Sequence, residues 1–181
     1  MNEICPRCGK DNTQPFRDKK LGTHGFECLD CHKDFGVDDG TTIGQYEENL
    51  SDFFYSKTDK EGFTRQIKIH KESNEKVMLS ASTIDKNGRR QPFEPRNIAP
   101  IFPELKTLLF RKLYILDWEP ELLGLLLPSG NAKYEIKLGF SLSILPEKVY
   151  KGTNRFPPYF KILPMIFEQF FETDEERTNG D

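Results

Sequence analysis

Cys5-Pro6-Arg7-Cys8 and Cys28-Leu29-Asp30-Cys31 decide how this chain begins to fold, because between them they hold all four of its cysteines. In a C-x-x-C pair the backbone curls so that both sulfurs face one centre. Two pairs supply four thiolates at tetrahedral corners, the ligand set of a closed structural zinc site. Nineteen residues separate Cys8 from Cys28, within the spacing typical of such sites. Cys5, Cys8, Cys28 and Cys31 are therefore expected to hold one structural Zn2+ per chain. An iron site of rubredoxin type uses the same ligands, and spacing alone leaves it open. Four sulfurs leave no position for water or substrate, so the motif predicts a structural element and not a reaction.

Residues around the pairs fit a small metal-clipped module. Gly9 follows Cys8, where a tight turn needs a residue without a Cβ clash. Phe26 and Phe35 flank the second pair and supply apolar cover to a segment too short to build a core otherwise. The stretches Cys5-Pro6-Arg7-Cys8-Gly9-Lys10 and Phe26-Glu27-Cys28-Leu29-Asp30-Cys31-His32-Lys33-Asp34-Phe35 resemble the zinc-ribbon class. That class includes ribbons at the front of some transposase and transcription-associated proteins. The resemblance covers residues 1–38 and implies a fold for that module more than an activity. A disulfide framework would suit a secreted chain, but Met1 opens a polar segment with no apolar signal core, so a cytoplasmic protein is expected. A thioredoxin-type redox pair would need only one C-x-x-C, at a helix start. His24 and His32 are read as surface residues, since four thiolates already suffice.

With 181 residues, the chain has room for this module and one further domain. No apolar run reaches the length of a membrane span: Leu122–Leu127 is interrupted by Gly124 and stopped by Pro128. The net charge of −3 excludes a histone-like polycation. Charge is nonetheless uneven, with basic residues gathered between Lys57 and Arg96 and an acidic tail at 172–181 that is expected to be disordered.

The organisation expected is α+β: a zinc ribbon at 1–38, a linker at 39–50, and a mainly antiparallel β domain at 51–171 with one or two helices. Phe63–Ile69 alternates apolar and polar residues as a half-buried strand does, and Val77–Ile84 is its return strand. Asp85-Lys86-Asn87-Gly88 carries the Asn-Gly signal of a tight turn. The cluster Phe53-Phe54-Tyr55 is either the first strand of the domain or a docking seam. After Pro103, apolar residues at 105, 108, 109 and 113 follow helical spacing. The segment 113–118 either continues that helix or forms a strand. Tyr134–Ile144 alternates most clearly of all, and a short helix is expected around Pro164.

Chemistry beyond the cysteines is sparse. The three histidines lack a Ser or Cys partner in a recognisable nucleophile context, and no phosphate-binding glycine loop is present. Asp38-Asp39 and Glu47-Glu48 are read as solvated pairs, and Asp117-Trp118-Glu119 as a core tryptophan with exposed neighbours. No catalytic residue is assigned. Arg65, Lys68, Arg89 and Arg90 are the candidate partner-binding residues. An acidic protein surface is expected to meet them rather than nucleic acid, because the chain is net acidic and no aromatics are interleaved with these bases. The function expected is a non-catalytic, zinc-binding regulatory or inhibitory protein acting on a component of a nucleic-acid-processing machine. In size and layout the chain is similar to small phage or mobile-element proteins, including inhibitors of CRISPR effector nucleases, and such a nuclease is one partner implied. The alternatives are a DNA- or RNA-binding accessory protein and an enzyme with an unrecognised site.

Overall fold

The three strongest alternations in the sequence become three neighbouring strands or their partners. In the computed structural model, which describes residues 2–172, β4 (Leu50–Thr58) sits at the middle of an eight-stranded sheet. It pairs on one side with β5 (Thr64–Lys71) and on the other with β10 (Lys133–Phe140). Beyond β5 lies β6 (Val77–Ile84), whose far edge is shared by β7 (Arg90–Pro92) and β8 (Arg96–Asn97). Beyond β10 lie β11 (Lys148–Thr153) and β9 (Glu121–Leu123). Every pairing is antiparallel except β11 with β9. Phe53-Phe54-Tyr55 thus belongs to the first strand of the domain. The turn at Asp85–Gly88 forms as expected: the Asp85 N–H donates to the Arg89 carbonyl, the Arg89 N–H to Asp85 Oδ1 and the Gly88 N–H to the Asp85 carbonyl, and Gly88 is left-handed.

Only one face of this sheet is covered. Phe53, Tyr55, Ile67, Ile69, Leu79, Tyr134, Ile136 and Leu138 point into a core closed by α2 (Phe102–Thr107), α3 (Ile162–Phe167) and the turns beside them. The aromatic end of the chain is mostly core: Phe160 stacks near Tyr55 and Tyr134, and Phe167 lies between Phe53 and Tyr55. Pro164 sits in the first turn of α3, where a missing N–H leaves nothing unpaired.

Three segments differ from the pattern reading, each for a physical reason. Residues 39–50, expected as a linker, carry helix α1 (Thr42–Asn49), with Ile43 buried. Asp39 Oδ1 accepts from the N–H groups of Thr41 and Thr42, and Asp38 Oδ1 from those of Gly40 and Ile43. Asp38 and Glu47 also grip Arg111, so these acids tie elements together and are not merely solvated. Past Leu113 the chain forms neither a longer helix nor a strand. Leu108–Lys112 is a widened π turn, Tyr114 is left-handed, and Ile115–Asp117 is a single 3-10 turn. The strand expected over Tyr134–Ile144 stops at Phe140, where a bulge at Gly139/Phe140 shifts its register against β4.

The N-terminal segment folds as a separate sheet of β1 (Thr13–Asp18), β2 (Thr23–Cys28) and β3 (Asp34–Asp38), in that order and antiparallel. Of the tail expected at 172–181, all but Glu172 lies outside the described residues. No described helix is long and apolar enough to cross a membrane.

Candidate metal centre and the surfaces around it

Each C-x-x-C pair closes the same turn. The N–H of Cys5 donates to the carbonyl of Lys10, and that of Cys28 to Lys33. The N–H of Gly9 returns to Cys5, and that of His32 to Cys28. Gly9 (φ 75°) and His32 (φ 55°) occupy equivalent left-handed positions. Glycine adopts that conformation freely and histidine does so at a cost. His32→Gly should therefore stabilise the metal-bound protein by about 1 kcal/mol, read as a rise in the melting temperature of the N-terminal module.

These two turns bring the four sulfurs together. Cys5 Sγ lies 3.7 Å from Cys31 Sγ, and Cys8 Sγ 3.5 Å from Cys28 Sγ. All four lie within 4.8 Å of one another. A tetrahedral ion with metal–sulfur bonds of about 2.3 Å would set sulfurs about 3.8 Å apart, so the group fits one metal ion. Burial raises the thiol pKa of Cys5, Cys8 and Cys31. Burial opposes ionisation at Cys28 too, but the N–H groups of Cys31 and Asp30 on its sulfur hold it down to about 7. A cation is what lets the other three ionise, so binding must release protons. His24 and His32 are exposed and stand outside the cluster.

The metal module is joined to the sheet domain by a seam that the sequence did not mark. Tyr114 places its ring edge-on to Phe35 (5.2 Å) and Phe26 (6.2 Å), completing the core over the cysteines. A Cβ on Gly36 (φ 59°) would lie 2.7 Å from that ring, so glycine is required there twice over. Beside it, Asp117 accepts from the Gly36 N–H (2.9 Å) and from Arg7 (3.3 Å), while Arg7 also donates to the Asp34 carbonyl. Trp118 is core as expected, its Nε1 donating to Leu113 O. Its neighbour Asp117 is a tether. The one sequence signal for that role was an acid set between Leu116 and Trp118.

The four candidate basic residues do not form one patch. Arg65 and Lys68 are three apart on β5 and so lie on opposite faces. Arg65 stands on the core side over the rings of Phe63 and Phe171. Lys68 is exposed on the uncovered face. Arg90 joins Lys68 there, donating to Ser82 Oγ and Gln66 Oε1, and both line a concavity of about 700 Å3 at the β6 edge. Arg89 is exposed in the preceding turn.

At the opposite edge the chain displays apolar residues. Leu123, Leu125 and Leu126 are 64%, 80% and 59% exposed. The loop after β9, which carries Leu125 and Leu126, is held by two asparagines. Asn154 Nδ2 donates to Leu125 O and to Asn131 Oδ1, and Asn131 also brackets Leu127. Gly124 lies so close to Asn154 that a Cβ would meet its carbonyl oxygen at 2.5 Å. No known protein family, curated protein or solved structure matches this chain.

Proposed function

We propose that this chain is a zinc-stabilised, non-catalytic regulatory or inhibitory protein that docks on a protein component of a nucleic-acid-processing machine, of which a CRISPR effector nuclease is one candidate. Zinc is supported by the all-sulfur ligand set and its near-tetrahedral spacing, which suit a structural ion. The observation that carries the docking reading is the leucine loop. Three exposed leucines face water, Leu123 at the end of β9 and Leu125 and Leu126 in the loop after it, and asparagine side chains fix that loop's backbone at Leu125 and Leu127. Exposed apolar residues on a rigid support mark a recognition surface, because their conformation is already set before the partner arrives.

A photo-cross-linking residue at position 125, combined with Leu126→Glu, tests this. The wild-type loop should capture one discrete protein from an extract of the producing cell, and Leu126→Glu should reduce capture about tenfold or more. The variant should keep its melting temperature, since Leu126 packs mostly against water. Equal capture with and without the charge would remove the leucine loop from the account.

A further inference from the structure

The uncovered face of the sheet is assembled from strands far apart in sequence, and the pairing registers give its rows. One row reads Val149, Lys137, Phe54, Lys68 and Ser80 across β11, β10, β4, β5 and β6. The next reads Lys151, Glu135, Ser56, Gln66 and Ser82. The third carries Lys133, Thr58, Thr64 and, through Ile84, Arg90. Phe54 thus stands at the centre, half-buried, with a lysine on either side, and Lys137 Nζ lies 5.6 Å from its ring centroid. An aromatic interleaved with bases is absent along the sequence and present across the strands.

Charge on this face runs against that of the whole chain. Lys68, Lys133, Lys137, Lys151 and Arg90 face outward against the carboxylates of Asp52, Glu121 and Glu135, an excess of two bases in a protein of net charge −3. Lys137 shares its charge with Glu135 and Lys151 with Glu121, while Asp52 is engaged by His70. Among the described residues, Lys68 and Lys133 have no ion pair, and Arg90 meets only neutral oxygens. Ser56, Thr58, Ser80 and Ser82 supply a floor of hydroxyls. Concavities lie at both ends of the rows: one of about 280 Å3 bordered by Lys133 and Lys151 with Glu121 and Glu135, and the 700 Å3 notch bordered by Lys68, Arg90 and Arg96 with Glu94 and Glu172.

We infer that this face binds single-stranded nucleic acid. A base stacks on Phe54, the phosphates on either side meet Lys68 and Lys137, and the strand continues toward Arg90 and the notch. Charge complementarity selects a polyanion. The central ring selects one whose bases are unstacked, which a duplex does not offer. This sheet face carries no helix or ribbon to enter a groove, so the contact tolerates sequence. The inference goes beyond the docking reading and uses a different surface: the leucine loop meets the machine's protein, and the sheet face meets its strand.

The test is fluorescence anisotropy of the full, metal-loaded protein with labelled oligothymidylate and oligouridylate of about twenty nucleotides. Saturable binding is expected at about 50 mM salt, weakening toward 200 mM with a logarithmic slope near −2, as about three phosphate contacts give. Phe54→Ala should weaken binding about tenfold and leave the slope unchanged, while Phe54→Trp restores it. Lys68→Ala with Lys137→Ala should weaken binding further and flatten the slope by about 1.4. Metal content and melting temperature check that each variant folds. Absence of saturable binding, or equal binding by the Phe54 and lysine variants, overturns the inference. So does equal binding of poly-L-glutamate, which would assign the face to an acidic protein. Leu126→Glu should bind the oligonucleotides normally, so failure of either surface is distinguishable from failure of the other.

Discussion

Cys28→Ser is expected to release the metal and unfold residues 1–38 while the eight-stranded sheet stays folded. The module's buried apolar set is Cys5, Cys28, Phe35 and Tyr114, with Phe26 and Cys31 against it. Half of these six belong to the cysteine group that can hold the metal, and one belongs to the other domain. Without the ion the segment has almost no core, and structural zinc supplies an apparent ~10–16 kcal/mol in small modules of this kind. The sheet domain keeps its own core, including Tyr55, Phe53, Ile67, Leu79, Ile136 and Leu138, all nearly inaccessible to water. In a heteronuclear spectrum the signals of 1–38 should collapse to random-coil positions. The sheet signals should stay dispersed, and those of 113–118 should shift, because Tyr114 and Asp117 lose their contacts. Collapse of the whole spectrum would show instead that both parts fold as one cooperative unit.

The second large effect is expected at the seam. Asp117→Ala leaves the Gly36 N–H and the Arg7 guanidinium without their acceptor at a mostly buried site, and should cost about 2–3 kcal/mol in chemical denaturation. Asp117→Asn keeps an acceptor for Gly36 and should cost about 1 kcal/mol. The pH dependence adds a second readout. Burial raises the Asp117 pKa more than the Gly36 N–H and the Arg7 charge lower it. The folded chain therefore holds this proton more tightly than the unfolded chain does. The proton-linked part of its contribution is fully present below the unfolded carboxylate pKa and is lost as pH rises through the raised folded value. Asp117→Asn should flatten that part of the stability profile. An alanine variant as stable as wild type would mean that the tether carries no load.

What the sequence made legible was local. The metal ligands lie in two four-residue turns whose spacing alone implies convergence. Strands β5 and β6 and most of β10 show their alternation residue by residue, and Asn87-Gly88 names its own turn. What stayed hidden depends on distant partners. Helix α1 lies in a Gly- and Asp-rich stretch resembling a linker, and its Glu47, with Asp38 at the end of β3, finds Arg111 far along the chain. The row Lys137–Phe54–Lys68 exists only through the registers of β4 with β10 and β5, so no window of sequence contains it. One miss was avoidable. Positions 65 and 68 differ by an odd number on an alternating strand, which already places Arg65 and Lys68 on opposite faces.

The fold of the N-terminal module rests on a single metal ion clipping its two C-x-x-C turns together. X-ray absorption at the zinc edge, on protein purified under reducing conditions and paired with elemental analysis, tests that most directly. One zinc per chain with four sulfur neighbours at about 2.3 Å is the predicted result. A first shell containing nitrogen or oxygen, iron in place of zinc, or protein that is folded over residues 1–38 without metal would contradict it.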